Sequence, residues 1–419
     1  MDKIPLRLRD WMPATDRATL ILAFGVRLIL APFTGHPYDL PIWFETGKSV
    51  AQLKSPYDLP VPIGYPGIWP IWLGISSAAA SLISPTNAHL YDLLIKLPII
   101  AADFLIPNLI ISLVNDLRPG IRLDPSTASR ISRSYLLNPF VIIAGSVWAM
   151  PDNIIAAGIL LALLEIRKVK LSGILFAFSA LFKPYQIVFL PPFLRYLRRK
   201  AIGFAFSFLA LTGVGLVIPV VLLRVNPGRL WEILISQTSR FPNAISPFAI
   251  SINLGYLFPQ VFTTQAILEN LVLPWPIRYL WLEALLLLTV LLVLLPPSSN
   301  LLKLIAWMRI FGTSYYLLFG AVSEQTLVPF LVLCLFDVDS TGHLRRRSTY
   351  WLLSAVVTAF LALNVPIWRF VYPIVDITIS GPAWDLFQAW GLIVLHLLFI
   401  IVMLRDARIS WKVVRQIQH

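Results

Sequence analysis

The sequence predicts an all-α protein that crosses a membrane many times. Of its 419 residues, 58% are hydrophobic and 13% are charged, and the mean hydropathy is +0.77. This composition is far more apolar than that of a soluble globular domain. Apolar runs long enough to span a bilayer recur along the chain, and clusters of Lys and Arg separate them. The pattern predicts about twelve crossings within a single transmembrane domain, residues 1–419.

The charge balance indicates topology and excludes some partners. The chain has 34 Lys and Arg against 21 Asp and Glu, a formal net charge of +13. Because basic residues collect in the cytoplasmic loops of membrane proteins, we expect no nucleic-acid partner. One cysteine, Cys334, excludes an internal disulfide and a cysteine-based metal cluster. The first apolar run, 18–33, carries Arg27 and has no small-residue cleavage site, so we expect it to stay as a span.

Six basic clusters define the predicted cytoplasmic side. They lie at residues 3–17, 118–133, 167–170, 195–200, 345–347 and 405–415. Placing all six inside puts both termini in the cytoplasm. We therefore expect the apolar segment 68–84 to be an interfacial or re-entrant helix, because a crossing there would move the later clusters outside. Residues 171–194, interrupted at Lys183-Pro184, must cross twice as short halves, so we expect Lys183 at a buried tip in a cavity.

The other segments complete the predicted organisation. The first outer loop covers residues 34–87 and should contain interfacial helices. A helical module follows at 88–223, a second long outer loop at 224–276, and the C-terminal helices at 277–419. We find no internal repeat and no soluble domain of useful size. The chemistry is therefore expected on the outer loops or within the membrane.

The candidate functional residues are acidic groups on the predicted outer side. Asp39 and Glu45 begin the first outer loop among aromatic residues, and Asp152 and Glu324 lie at tight outer turns. A carboxylate close to aromatic rings and to the membrane could be partly desolvated and act as a general base, for which Asp39 is the candidate. His36 could orient it. The alternative interpretation is an interfacial aromatic belt with a solvated aspartate.

Cations on the outer side or within apolar runs need partners. A buried ammonium at Lys183 indicates a nearby anion, either a phosphate of the substrate or the carboxylate of Asp152 or Glu324. Arg240, in the second long loop, is another candidate cation. Five further charged residues lie inside apolar runs and should be paired or face a cavity; they are Arg27, Lys96, Asp103, Glu283 and Arg309.

The first outer loop carries a recognisable pattern of residues over 36–66. Its members are Asp39, Glu45, Ser55-Pro56-Tyr57 and Tyr65-Pro66. This pattern resembles the first outer loop of the integral-membrane GT-C glycosyltransferases, and most of all the GPI mannosyltransferase I branch and its prokaryotic relatives. Asp39 corresponds to the second aspartate of that branch's Asp-x-Asp motif, and Pro37 replaces the first. Because one carboxylate is a poor site for a divalent ion, the metal requirement stays open.

Three further segments agree with the same family. Asn138-Pro139 followed by Trp148 and Asp152 resembles its Asn-Pro to acidic turn, and Phe182-Lys183-Pro184-Tyr185 resembles its Phe-Lys-x-Tyr segment. Ser323-Glu324-Gln325 resembles an acidic turn of the family. The resemblance covers about half of the chain and implies a GT-C-like bundle.

The resemblance implies an inverting hexosyltransferase of the outer or luminal face, with mannose as the indicated sugar. The donor would be a polyprenyl (dolichyl) phosphate sugar and the acceptor a lipid-linked or other glycan. Asp39 would be the catalytic base. Donor and acceptor would be bound by His36, Glu45, Asp152, Lys183, Tyr185, Arg240, Glu324 and Gln325. No soluble cofactor and no metal ligand is implied. The membrane would be the plasma membrane of a prokaryote or the endoplasmic reticulum of a eukaryote.

Two other classes of protein stay open. A secondary transporter or lipid-linked-sugar flippase would also show about twelve spans and buried charges, although such folds usually carry two related halves. A non-catalytic subunit of a glycosylation complex would show the same spans and outer loops. Substitution of Asp39 separates this subunit from an enzyme, because only the enzyme would lose transfer activity.

Overall fold

The computed structural model describes residues 15–84, 87–117, 123–236, 243–258, 279–296, 298, 300–336, 348–365, 367–371 and 381–416. The helices of these ranges are α1 (Arg17–Leu30), α2 (Asp39–Ala51), α3 (Ile68–Ile83), α4 (Ala88–Leu117), α5 (Pro125–Leu136), α6 (Pro139–Ile142), α7 (Asp152–Leu164), α8 (Val169–Ala180) and α9 (Leu190–Leu197). They continue with α10 (Ala201–Leu222), α11 (Pro227–Ser236), α12 (Ile250–Leu257), α13 (Leu280–Leu294), α14 (Leu301–Leu318), α15 (Val328–Leu333), α16 (Ser348–Asn364) and α17 (Pro382–Gln416).

The chain forms two compact units. The first contains Met1–Pro184, Ile202–Ile233 and Leu335–Arg346, and the second contains Tyr185–Ala201, Leu234–Cys334 and Arg347–His419. Two strands of two residues each, β1 (Asn243–Ala244) and β2 (Ala321–Val322), pair in parallel within the second unit. The described part of the chain is otherwise built from helices and their connections, so the predicted all-α class is confirmed.

Several helices are suited to a membrane. Among the residues that the structure describes, three helical stretches are long and apolar enough to cross a membrane: Ala88–Leu117, Pro184–Leu222 and Pro382–Gln416. The pair Pro139–Val147 and Asp152–Leu164 passes the same test together and bends by 112° at its break. Ile68–Ile83, Val169–Ala180, Leu280–Leu294, Glu324–Phe336 and Ser348–Asn364 are shorter apolar helices. An integral membrane protein with several spans is therefore supported, whereas the number twelve stays a prediction.

Buried charges tie helices of the first unit to α4. Arg27 of α1 donates from Nε to Asp103 Oδ2 at 2.9 Å, and both side chains are fully buried. Arg27 Nη1 also donates to the carbonyl of Leu136 at 2.8 Å, and the Tyr135 hydroxyl donates to Asp103 at 3.0 Å. Because an unpaired charge is costly away from water, these contacts satisfy the expectation that Arg27 and Asp103 have partners. They join α1 and α5 to α4.

The middle and the C-terminal half of α2 pack closely on α3. A Cβ atom on Gly47 would lie 2.9 Å from the carbonyl oxygen of Leu73, and one on Gly74 would lie 2.3 Å from a methyl group of Val50. Both positions therefore require glycine for the two helices to approach this closely. The Trp43 and Trp69 rings meet edge to face across the same contact, 5.7 Å apart.

In the second unit, α17 is the longest helix and packs against α12, α14 and α16. Arg309 of α14 forms a buried ion pair with Asp406 of α17, donating from Nε to Oδ2 at 3.1 Å. Arg309 was expected to be paired because it lies in an apolar run, and this contact meets that expectation. Glu283, by contrast, lies on the exposed side of α13.

The Arg27–Asp103 pair should dominate the stability of the first unit. Asp103→Leu leaves a buried guanidinium without its carboxylate, so we expect the free energy of unfolding to fall by about 3–5 kcal/mol. The control is Arg133→Gln, which breaks the exposed Arg133–Asp16 pair and should cost less than about 1 kcal/mol. Denaturant titration of the purified protein in detergent measures both. Equal effects from the two substitutions would contradict a structural role for the buried pair.

Candidate functional site

Asp39 begins α2 and is the centre of a polar cluster in the first unit. A short 3-10 helix, Ala31–Phe33, ends α1, and the chain then turns so that α2 begins at Asp39. A carboxylate in the first turn of a helix is favoured by the helix dipole. The Asp39 side chain is 30% exposed, so a ligand can reach it.

Two ring nitrogens lie within hydrogen-bond distance of one oxygen of this carboxylate. Trp148 donates from Nε1 to Asp39 Oδ2 at 2.7 Å, and His36 Nδ1 lies 3.0 Å from the same oxygen. His36 Nδ1 also lies 3.3 Å from the backbone N of Asp39 and 3.4 Å from that of Tyr38, from which it accepts when it carries no hydrogen; it donates to the Asp39 carboxylate when it carries one. The His36 and Trp148 rings stack, with centroids 4.4 Å apart. Within the described residues Asp39 Oδ1 has no hydrogen-bond partner and can accept one from a ligand.

The surroundings of Asp39 favour its ionised form. Burial acts to raise the pKa of the carboxyl group, but the hydrogen bond and charge of His36, the Trp148 hydrogen bond and the charge of Lys183 together hold this pKa below 3.8. The ionised carboxylate of Asp39 is therefore suited to accept a hydrogen bond or to bind a cation.

An irregular turn places Trp148 beside Asp39. Asn138 caps the preceding helix by accepting hydrogen bonds from the N–H groups of Phe140 and Val141, and residues 143–147 form one π-helical turn. Ala149 then adopts a left-handed conformation with φ of 69°, which is uncommon for a residue with a side chain. This backbone is tied by a hydrogen bond from the N–H of Trp148 to the carbonyl of Ile143 at 2.7 Å.

Lys183 already has a partner anion. Its Nζ lies 2.7 Å from Asp152 Oδ2, and the Asp152 side chain is fully buried. The same ammonium lies 5.0 Å from the centre of the Tyr65 ring and 3.7 Å from Met150 Sδ. Of the two interpretations left open by the sequence, the structure supports pairing with Asp152. The Lys183 charge also acts on Asp39, so the two sites are electrostatically connected.

The other predicted site residues lie elsewhere. Glu45 pairs with Lys48 on the exposed side of α2, at 3.1 Å. Tyr185, Glu324 and Gln325 belong to the second unit, where Asn364 donates to Glu324 Oε1 at 3.2 Å. Gln325 is buried, and its Oε1 has no hydrogen-bond partner in the described part of the chain. Arg240 lies outside the described residues.

The structure thus brings together four of the predicted residues: His36, Asp39, Asp152 and Lys183. It adds Trp148, which the sequence placed in the acidic turn without giving it a role at the site. A tryptophan close before an acidic helix start is the signal that could have identified it. In the described ranges, no three His, Cys, Asp or Glu side chains lie together in a way that could hold a metal ion.

The fold and site define a membrane protein with several spans and a partly exposed, ionised carboxylate held by aromatic nitrogens. Residues 69–227 match the family model of the GPI transamidase subunit PIG-U. The match covers less than half of the chain and includes Trp148, Asp152 and Lys183. No curated protein matches the chain.

This match overturns the predicted activity. A subunit of a transamidase is not a hexosyltransferase that uses a polyprenyl phosphate sugar, so the predictions of mannosyl transfer and of a membrane glycosyltransferase are wrong. The segments 138–152 and 182–184 that suggested transfer lie inside the matched range. Their described roles are structural, because Asn138 caps a helix and Lys183 neutralises Asp152. The transporter alternative gains no support from the match.

The Lys183–Asp152 pair can be tested by a double substitution. Lys183→Met leaves a fully buried carboxylate without its cation, so we expect the free energy of unfolding to fall by about 3 kcal/mol. Lys183→Met with Asp152→Asn should recover most of this loss, because no buried charge remains unpaired. Denaturant titrations of the two single variants and the double variant give the coupling energy. Additive effects would show that the two residues do not stabilise each other.

Proposed function

We propose that this chain is a non-catalytic integral-membrane subunit of a complex that acts on a glycolipid. The observation that carries the proposal is the match of residues 69–227 to the GPI transamidase subunit PIG-U. GPI is a glycolipid, so its polar headgroup is rich in hydroxyl groups. The matched range supplies Trp148, Asp152 and Lys183 of the site around Asp39, which we propose as the part of this subunit that binds the headgroup.

The geometry supports binding of a hydrogen-bond donor. One oxygen of Asp39 is occupied by Trp148 and His36, which fix the orientation of the carboxylate. The other oxygen points away from these partners and can accept a hydrogen bond from a sugar hydroxyl or an ammonium group. A hydrogen bond to an ionised acceptor is stronger than a neutral one. Tyr38, which is exposed, packs against the ring of His36 and offers an aromatic surface beside the carboxylate.

The same geometry supports a role without catalysis. His36 and Trp148 hold the Asp39 carboxylate in one orientation and favour its ionised form, which suits a binding group. The cation that could have stabilised a leaving phosphate, Lys183, is paired with Asp152 instead. The Asp39 carboxylate and the Lys183 ammonium therefore serve the structure and the charge of the site. The catalytic residues of the complex would belong to another subunit.

We also propose the topology for this subunit that the basic clusters predict. It has about twelve crossings in a GT-C-like arrangement, with both termini cytoplasmic, in a prokaryotic plasma membrane or the endoplasmic reticulum. A bundle of this kind does not imply glycosyl transfer, since one fold can serve unrelated functions.

Binding through Asp39 is tested by a matched pair of substitutions on α2. Asp39→Asn removes the charge at nearly constant shape, so we expect about tenfold weaker binding of a purified glycosylphosphatidylinositol to the chain in nanodiscs. Glu45→Gln removes a charge from the exposed side of the same helix and should leave binding unchanged. Unchanged binding in Asp39→Asn would contradict the site. Sugar transfer from a polyprenyl phosphate donor by the chain alone would contradict the subunit proposal.

The outer location of α3 is tested by cysteine labelling. Because the native chain has one cysteine, Cys334→Ala gives a clean background. Ser81→Cys, at an exposed position of α3, should react with an impermeant maleimide added to intact cells or right-side-out vesicles. Lys412→Cys, near the C-terminal end of α17, is the control and should react after permeabilisation. A Ser81→Cys site that reacts only after permeabilisation would exclude the proposed path of the chain.

A further inference from the structure

A basic pocket lies in the second unit, apart from the Asp39 site. It forms where α9, the end of α13 and the start of α14 meet, and it is open to the surroundings of the protein. Arg195 and Tyr196 line it from α9, Leu292 from α13, and Lys303 and Trp307 from α14. Nothing in the proposed function uses this pocket.

Lys303 is the strongest sign of a ligand. The residue is only 5% exposed, and its ammonium has no hydrogen bond or ion pair with any residue that the structure describes. The stem of the side chain is thus covered by protein, while the unpaired ammonium faces the pocket, where an anion would neutralise it. Lys303 lies in the first turn of α14, whose N-terminus adds partial positive charge. An anion in the pocket would interact favourably with both the Lys303 ammonium and the N-terminus of α14.

Arg195 supplies a second cation. Its Nη2 donates to the carbonyl groups of Val293 at 3.0 Å and Leu295 at 2.6 Å, which fixes the guanidinium against the end of α13. Its Nε is buried and has no partner among the described residues. The residues that line the pocket in the described ranges include these two cations and no Asp or Glu. The pocket therefore has the charge and the donors that a phosphate group requires.

The surface beside the pocket indicates a lipid as the source of that phosphate. Val293 and Leu294, which follow Leu292 on α13, are 57% and 76% exposed. This apolar surface suits an acyl chain better than water. Trp307 of the pocket meets Trp411 of α17 edge to face at 5.9 Å, and Arg415 lies over the Trp411 ring. Aromatic and basic residues together are typical of the boundary between a bilayer and its anionic headgroups.

We infer that the pocket between α9, α13 and α14 binds the phosphate of an anionic phospholipid. Lys303 and Arg195 contact the phosphate, and the acyl chain lies along the exposed side of α13. The inference is independent of the proposed function, because it does not use the Asp39 site. Of the segment that matches PIG-U, it uses only Arg195 and its neighbours on α9.

Lipid binding to the full chain tests this inference. Short-chain phosphatidylglycerol, short-chain phosphatidylcholine and inorganic phosphate are titrated separately into the protein in a neutral detergent, and calorimetry gives each affinity. We expect phosphatidylglycerol to bind most tightly. Lys303→Met should weaken its binding about tenfold, because a charge-assisted contact is lost while the apolar stem is kept.

Two variants distinguish a specific phosphate site from general electrostatic attraction between a basic protein and an anionic lipid. Lys412→Met removes the same charge from an exposed position of α17 and should leave the affinity unchanged. Lys303→Arg keeps the charge and should retain binding within about threefold, which also shows that a change at this position does not unfold the protein. Equal losses in Lys303→Met and Lys412→Met would overturn the site. Binding of inorganic phosphate as tight as that of phosphatidylglycerol would overturn the lipid assignment.

Discussion

The Asp39 site depends on buried charges that hold three helices to α4. Arg27 of α1 and Asn153 of α7 both donate to Asp103, so one carboxylate anchors the helices on either side of the site. Lys96, two turns earlier on α4, donates to the carbonyl groups of Ala31 and Thr34. Those carbonyl groups belong to the segment that leads into Asp39. In a lipid environment no water replaces such contacts, so each must be made inside the protein.

The residues around Asp39 are held by contacts that Asp39 does not make. The backbone that carries Trp148 is fixed by Asn138 and by the π-helical turn, and Asp152 is paired with Lys183. Asp39 itself contacts Trp148 and His36 through one oxygen. Asn at position 39 keeps an oxygen that can accept these hydrogen bonds, so Asp39→Asn changes the charge with little change in shape.

The sequence predicted the class of structure and the pairing of Arg27, Asp103 and Arg309, but it did not identify the partners of these three residues. Charges in apolar runs must be neutralised, so a pairing for Arg27, Asp103 and Arg309 followed from hydropathy alone. The partner of Arg27 lies 76 residues away, a separation that only the packing of α1 on α4 determines. Trp148 was missed as a site residue because tryptophan is common at membrane interfaces for reasons unrelated to binding.

The error in predicted chemistry has a physical origin in the same residues. The Asn-Pro pair caps a helix, and the buried lysine neutralises the aspartate at the start of the next helix, so folding alone accounts for these residues. The expected glycosyl transfer would in addition use a cation free to contact the leaving phosphate. Lys183 is instead paired with a fully buried carboxylate. The motifs at this turn therefore indicate how the chain folds, and they do not by themselves identify a glycosyltransferase.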